Sequence, residues 1–397
     1  MPFAIFDGYT GRVVRIAVIG GGINGAGIAW ELARKSYDVV LFEKGEFGAQ
    51  TSSATTKLIH GGLRYLEGLH FGLVREALRE RGWLLEHLPQ LVRGVEIVLP
   101  VYADSPRSRL EIRFGLALYD LLAGRGRIER HRALRPAEVL ERIPLAVDGL
   151  RGGFTYWDAQ VDDAELVRTV VASAAAEGAI TREHTAVAEL RREGKEWLVR
   201  TAGGDESRFD FLINAAGPWM NELLERNGIR TRYRLALVRG SHLVLKHRVS
   251  DAGVLLQSAD DGRVFFVLPW KGTTLVGTTE VEQTEPLDSV HASEEEIEYL
   301  LTRFNHYFRD ELTRAGIAST FAGVRPLVAY RRGEATEPSA IGREYRVVRS
   351  GNLINVFGGK MTTFMSLARR VSLRVDNYFG RTRTAREPRF AIESGAP

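Results

Sequence analysis

The chain has 397 residues, 44% hydrophobic and 26% charged, with a formal net charge of +4 and no cysteine. That length can bury more than one core and suggests two domains, while the missing cysteines exclude disulfides, thiolate metal sites and thiol nucleophiles. No run approaches the roughly 20 apolar residues of a membrane span, and no basic stripe with interleaved aromatics suggests nucleic acid as a partner.

The first predicted element is a strand over Arg15–Ile19, which breaks into Gly20-Gly21-Gly22-Ile23-Asn24-Gly25-Ala26-Gly27 and continues as the helical pattern IAWELARKS. Strand, glycine turn and helix in this order form a dinucleotide fingerprint. Gly20 permits the turn, Gly22 lets the backbone approach a pyrophosphate at the helix N-terminus, and Gly25 allows close helix packing. A second strand, Asp38–Phe42, ends at Glu43, where an acidic side chain is expected to accept from a ribose hydroxyl. Glu43 in place of an arginine pair disfavours a 2′-phosphate, and with it NADP, but this motif leaves NAD and FAD unseparated. The N-terminal MPFAIFDGYTGRVV lacks the basic-then-apolar pattern of a signal peptide, so none is expected.

Residues 51–68, TSSATTKLIHGGLRYLEG, hold too many glycines and hydroxyls for a buried core element, yet lie between periodic segments, as a cofactor-contacting loop does. An arginine-rich helical excursion is expected within 93–147. Asp162-Asp163 reads as a helix cap with acidic first-turn charge rather than a metal site, because no third ligand has suitable spacing. The strand Phe211-Leu212-Ile213-Asn214 closes on Ala215-Ala216-Gly217 and then Pro218-Trp219, small residues that let a backbone pass close to a cofactor. Ser241-His242 begins an alternating strand, SHLVLK, which puts His242 and Val244 on one face and Leu243 and Leu245 on the other. Residues 264–270 and 274–279 read as a hairpin turned by Lys271-Gly272-Thr273. Ser293-Glu294-Glu295-Glu296 is the capping signature of an exposed helix. Near the end, Leu353-Ile354-Asn355-Val356-Phe357 runs into Gly358-Gly359-Lys360-Met361-Thr362-Thr363, a second glycine-preceded helix start suited to a flavin edge, where Lys360 could stabilise negative charge. NAD domains do not usually need this distant return, which favours FAD.

Taken together, GGGINGAGIAWELA, TSSATTKLIHGGLRYLEG, Val161-Asp162-Asp163-Ala164, NAAGPW, Arg239-Gly240-Ser241-His242, RVFFVLPW, LVGTTEVE, Gly323-Val324-Arg325-Pro326 and FGGKMTTF resemble the FAD-dependent glycerol-3-phosphate dehydrogenases, within the D-amino-acid-oxidase-like flavoproteins. The resemblance implies oxidation of sn-glycerol 3-phosphate to dihydroxyacetone phosphate, with hydride passing to noncovalently held FAD and electrons leaving to a quinone or other acceptor. Cofactor contacts are expected from Gly20, Gly22, Ile23, Asn24, Gly25, Glu43, Lys44, Thr51, Ser52, Ser53, Lys57, Leu58, His60, Gly61, Gly62, Val187, Ala216, Gly217, Trp219, Gly358, Gly359, Lys360, Met361 and Thr362. Phosphate is best gripped by guanidinium forks, and the resemblance implies that Arg64, Arg325 and Arg343 line the substrate pocket with Tyr65 and His242. His242 is the expected base, since imidazoles accept protons near neutral pH; His60 is a second candidate, placed nearer the cofactor. His242, Arg325 and Lys360 are the expected catalytic residues.

The expected fold class is α/β: a Rossmann-like FAD domain of the glutathione-reductase type, with an interleaved antiparallel-sheet substrate domain. The FAD domain is assigned to 13–92, 148–225 and 322–380, the substrate domain to 93–147 and 226–321, and 381–397 to a tail that is either frayed or a surface contact. The active site is expected where the antiparallel sheet covers the flavin. Many members of the resembled family continue into a helical C-terminal domain, for which the residues after 380 are too few. The implied location is cytoplasmic, including peripheral contact with the inner face of the membrane; no metal is expected, and an oligomer is compatible with the resemblance. Two rival readings are an FAD enzyme for an amino acid or 2-hydroxy acid, with arginines gripping carboxylate, and a catalytically silent flavin-binding partner protein.

Overall fold

The structure, a computed structural model, describes residues 13–258, 260–330 and 344–391. They divide into two compact units: one from the described parts of 1–53, 163–237 and 325–397, the other from 54–162 and 238–324.

In the first unit, strands Arg15–Ile19, Asp38–Phe42, Phe211–Asn214 and Leu353–Phe357 lie in one six-stranded sheet, with Ile180–Arg182 and Arg346–Ser350 at its edges. All neighbouring pairs are parallel except Arg346–Ser350 with Leu353–Phe357. These strands are continuous apolar runs because both faces are covered. On one side, helix Ile23–Arg34 packs against Asp163–Ala176 and Phe364–Tyr378. A Cβ at Gly27 would lie 2.6 Å from Phe364 Cδ2, so this glycine sets the approach of the third helix. On the other side, Val187, Leu190, Trp197 and Val199 of a three-stranded antiparallel sheet join Ala17, Ile19, Val40 and Phe42 in one apolar cluster. This is the expected Rossmann-like cofactor fold.

Residues 381–391 are a packed surface contact rather than a frayed end. Arg383 stacks 4.4 Å over the Tyr37 ring, Phe390 lies 4.7 Å from Trp30, and Ala391 N–H donates to Ser173 Oγ at 2.9 Å.

The second unit is built on a ten-stranded mixed sheet. One face packs Leu243, Leu245, Val254 and Val276 against Ile297, Leu300 and Phe304 of helix Glu294–Tyr307. The other packs Ile97, Leu255 and Leu275 against Val74, Leu78, Leu116 and Tyr119 of helices Phe71–His87 and Arg109–Ala123. Val244 falls on this second face, as alternation requires. Hairpin Val264–Trp270 with Thr273–Gly277 turns at Lys271 (φ 46°) and Gly272 (φ 80°), the two positive values of a type I′ turn. Helix Glu294–Tyr307 has the expected Ser293–Glu296 capping box, but it is a core helix and Glu296 is itself buried.

Residues 54–92 and 148–162, grouped with the cofactor domain on local motifs, cluster with the second unit. Strand pairing is the reason: Val92–Tyr102 runs antiparallel along Leu150–Val161, which also takes Leu58–Ile59 on its far side. Residues 226–237 cluster with the first unit, through Tyr233 and Leu235 packed on Phe357 and Met220.

Candidate active site

In the first unit, three glycine segments far apart in sequence converge. Gly20 has φ 104°, and a Cβ there would stand 2.5 Å from the Ala215 carbonyl oxygen, so the turn and the end of strand Phe211–Asn214 touch through backbone. Gly25 is closer still: its Cβ would lie 1.8 Å from Gly20 O. Gly359 has φ 117°, and a Cβ there would meet Asn24 Nδ2 at 2.3 Å, while that amide donates to Gly358 O at 3.2 Å. Strand end, glycine turn and C-terminal glycines therefore form one cradle at the start of helix Ile23–Arg34. That helix has no acidic residue in its first turn, and Ile23 N–H donates to Ser52 Oγ at 3.1 Å. Glu43 accepts from Gly21 N–H at 2.7 Å and Gly45 N–H at 2.9 Å, which fixes its carboxylate over the turn. Beside it, the Lys44 ammonium lies 3.9 Å from the centre of the Trp219 ring. Val187 is buried under the sheet, Gly217 has φ 53°, and Ala216 N–H donates to Asn214 Oδ1. Ser53 Oγ donates to Gln50 O at 3.0 Å, and Thr51 shares its short 3₁₀ turn. Lys360 is half-buried, with Met361 and Thr362 buried after it, at the start of helix Phe364–Tyr378.

The second unit contains a buried histidine in an equally defined setting. His242 is 1% exposed, and its Nε2 lies 3.0 Å from Thr56 Oγ1. Its ring stacks on Phe321 with centroids 4.8 Å apart and planes 15° from parallel. On the neighbouring strand, Gly277 sits opposite His242, and a Cβ there would fall 2.2 Å from His242 Cδ2, so only glycine leaves room for the ring. Lys57 (φ 60°) is buried with its ammonium 5.1 Å from the Phe321 ring centre and 5.7 Å from that of Trp270. Beneath His242, Glu296 accepts from Arg239 Nε at 2.8 Å and from Thr279 Oγ1 at 2.5 Å, and Thr279 Oγ1 in turn accepts from Ser241 N–H at 2.9 Å.

Residues 15–371 match the family of FAD-dependent oxidoreductases termed DAO. The chain is also 40% identical over 91% of its length to a D-erythritol 1-phosphate dehydrogenase of Brucella abortus, covering 73% of that protein. A glycerol-3-phosphate dehydrogenase of Pseudomonas aeruginosa is 38% identical over 95% of the chain and 75% of its own length. This chain belongs to the FAD-dependent oxidoreductases of the DAO family.

Among solved structures, the Bacillus halodurans glycerol-3-phosphate dehydrogenase complexed with FAD superposes with a TM-score of 0.73 at 24% identity, covering 95% of this chain and 67% of that one. The L-alpha-glycerophosphate oxidase of Mycoplasma pneumoniae gives 0.76 at 16% identity over 95% and 97%. At those identities the likeness is one of fold.

The first unit of this oxidoreductase fits FAD on its own geometry. The helix start beside Gly22 is open except towards Ser52, which suits a diphosphate. Each Glu43 oxygen keeps a second lone pair for a ribose hydroxyl. Asn24 Oδ1 is buried, with no hydrogen-bond partner among the described residues, where the C-terminal glycines close on the turn.

The remaining expected residues of the FAD-dependent oxidoreductase separate by unit. Arg325 is half-buried in strand Ile317–Tyr330 and belongs to the first unit; Arg343 lies outside the described residues. Arg64 is exposed and lines a cavity of about 310 Å³ in the second unit, among Leu63, Leu99, Leu255 and Val264. Nearby, Arg107 donates to Glu67 at 2.8 Å and also binds Gln257. Tyr65 packs its ring over Gly62 (φ 77°), where a Cβ would come within 2.2 Å of Tyr65 Cδ2. Leu58 is buried in a two-residue strand followed by half-buried His60.

Gly61 is held from below. Its N–H faces Tyr119 Oη at 2.8 Å and Asp158 Oδ1 at 3.2 Å; Tyr119 donates to Asp158 at 2.7 Å, and Arg81 Nη1 to the same oxygen at 2.7 Å. Burial and the neighbouring Asp158 carboxylate push the Tyr119 hydroxyl well above its usual range, so it stays a donor. Burial opposes the Arg81 charge, but Asp158 and Tyr119 outweigh it and raise its pKa.

Thr56, Phe321, Gly277 and Asp158 are not singled out by the sequence, and Glu296 only as a helix cap. Only Gly277 carried a signal: a glycine ending an apolar strand marks a close approach. Asp162, read as a cap, sits just before helix Asp163–Ala176 and accepts from Lys271 at 2.6 Å.

Proposed function

We propose that this oxidoreductase oxidises a secondary hydroxyl of a short phosphorylated polyol, sn-glycerol 3-phosphate to dihydroxyacetone phosphate in the first instance, and passes the electrons to a quinone or another acceptor. The observation that carries the reading is the buried His242 set 3.0 Å from Thr56 Oγ1 within the same loop that resembles glycerol-3-phosphate dehydrogenases. Bound FAD would supply the hydride acceptor. With His242 almost fully buried and Thr56 half-buried, the substrate hydroxyl gives its proton to Thr56 Oγ1 as Thr56 gives its own to His242 Nε2. Phe321 and Gly277 hold the imidazole in plane for that transfer. Arg325, Arg64 and Arg343 are the residues assigned to the phosphate, and Lys360 to negative charge on the cofactor.

A second reading concerns the polyol. The relative at 40% identity is named for erythritol 1-phosphate, which supports a four-carbon substrate as readily as a three-carbon one. Anaerobic addition of sn-glycerol 3-phosphate, erythritol 1-phosphate, glycine and lactate to the yellow protein separates the readings. A phosphorylated polyol is expected to bleach the oxidised flavin band; bleaching by the amino acid or hydroxy acid alone sinks the proposal, and no bleaching by any of them supports a silent flavoprotein. Arg325→Ala is expected to raise KM for the phosphorylated substrate by about 10²-fold, the loss of a charge-assisted contact, with FAD content unchanged. Equal loss of FAD would make the residue structural.

A further inference from the structure

His242 stands where its strand falls out of step with the neighbouring chain. Along strand Tyr233–Leu245, His242 is paired with Gly277 and Arg239 with Val281, so residues 240–241 on this side face residues 278–280 on the other. One extra residue on the partner side is a β-bulge, a device that re-aims a side chain and leaves ladder groups to be satisfied in another way. Thr279 satisfies them here. Its hydroxyl oxygen accepts the Ser241 N–H at 2.9 Å, and its own N–H reaches Ser241 O at 3.4 Å. The residue before His242 is therefore held by a side chain where a regular ladder would use a carbonyl.

The Thr279 hydroxyl is fixed in turn. Helix Glu294–Tyr307 packs on the sheet face that carries Leu243 and Leu245, opposite the face of His242. From that helix, one Glu296 oxygen takes the Thr279 hydroxyl hydrogen at 2.5 Å and the other takes Arg239 Nε at 2.8 Å. With its hydrogen committed to Glu296, the Thr279 oxygen has only lone pairs to offer Ser241. Arg239 Nη1 also reaches Gln283 Oε1 at 3.3 Å and Glu285 Oε2 at 3.4 Å, which holds the carboxylate from behind. Ser241, Thr279, Glu296 and Arg239 are all buried. A buried ion pair stabilises a fold no better than apolar side chains of the same volume, so a pair placed behind a bulge is better accounted for by the geometry it enforces.

We propose that Thr279 and Glu296 are positioning residues for His242. Through the Ser241 backbone they set the depth at which the imidazole sits over Gly277 and against Phe321, with Nε2 at 3.0 Å from Thr56 Oγ1. Glu296 acts from the far side of the sheet, so its influence reaches the reaction through His242. The inference deepens the reading of His242 as the proton acceptor and rests on it. A misplacement of about 1 Å can cost about 10²-fold in rate, so a smaller shift of the ring is expected to cost about tenfold.

The test is anaerobic stopped-flow reduction of the FAD-loaded protein by sn-glycerol 3-phosphate and by erythritol 1-phosphate. Thr279→Val, which leaves Arg239 and Glu296 in place, is expected to lower the limiting rate of flavin reduction about tenfold, while KM and FAD content stay within about twofold of wild type. Thr279→Ser, which keeps the hydroxyl, is expected to restore most of the rate. Glu296→Gln keeps the size of the side chain but brings a donor towards Thr279 or Arg239, and is expected to fall in the same direction as Thr279→Val. In a His242→Asn protein, adding Thr279→Val is expected to change the rate by less than about twofold, because the group it positions is gone. A Thr279→Val protein reduced at the wild-type rate, or a loss of equal size with and without His242, overturns the proposal. A wild-type rate for Glu296→Gln removes Glu296 from it. Slow reduction of His242→Asn beside normal reduction of Thr279→Val fails the positioning alone, whereas wild-type reduction of His242→Asn fails the reading of His242 as the base and the positioning with it.

Discussion

Substituting His242→Asn is expected to slow flavin reduction by a phosphorylated polyol by about 10²–10⁴-fold, the usual worth of a positioned general base, with FAD still bound. The amide keeps a hydrogen-bonding group towards Thr56 but cannot accept a proton at neutral pH. Because the proposed proton path runs through Thr56 Oγ1, Thr56→Val is expected to fall in the same direction and Thr56→Ser to recover most of the rate. Gly277→Ala should act through the same ring: its Cβ, 2.2 Å from His242 Cδ2, would push the imidazole off Phe321. Stopped-flow reduction under anaerobic conditions reads all four variants. A His242→Asn protein reduced at the wild-type rate would remove the histidine from the mechanism, and equal rates for Thr56→Val and wild type would remove the relay.

The largest effect on stability is expected at Asp158. Its carboxylate takes Arg81, Tyr119 and the N–H of Gly61, and both Asp158 and Arg81 are almost fully buried. Asp158→Ala strands the Arg81 guanidinium with only the carbonyls of Trp157 and Gly126 for company, a loss of about 3–5 kcal/mol. For a unit of this size that is a fall in Tm of roughly 6–20 °C in thermal denaturation. Asp158→Asn keeps an acceptor but no charge and should lie between. The network also has a pH signature. The Tyr119 hydroxyl has its pKa raised in the folded state, so its contribution is complete below about pH 10, where the unfolded tyrosine titrates, and is lost as pH rises beyond that. A melting temperature within a degree or two of wild type for Asp158→Ala would show that the buried pair is dispensable.

How much of this was legible in the sequence follows from the range of the interactions. Arg15–Ile19, Asp38–Phe42, Phe211–Asn214 and Leu353–Phe357 were readable because parallel strands covered on both faces are unbroken apolar runs. The hairpin turn at Lys271-Gly272 and the Ser293–Glu296 capping box were readable because both are closed within four residues. The domain boundaries were not, because residues 54–92 and 148–162 are placed by strand pairs spanning up to about a hundred residues, and no local pattern records a partner that distant. Glu296 shows the same limit: it was legible as a cap and illegible as the buried partner of Arg239, 57 residues away.

The sequence by itself determined that a dinucleotide is held, because a strand, a glycine turn, a helix start and an acidic strand end are chemical requirements met by residues close together in the chain. It also named His242, whose alternating strand puts one side chain in two on each face. What only the tertiary structure decided is what surrounds these residues. The convergence of Gly20, Gly25, Ala215 and Gly359, the Thr56 hydroxyl at the imidazole, and the glycine that makes room for it depend on which face of each element is covered. Periodicity marks an apolar face, but only packing shows whether something already occupies it.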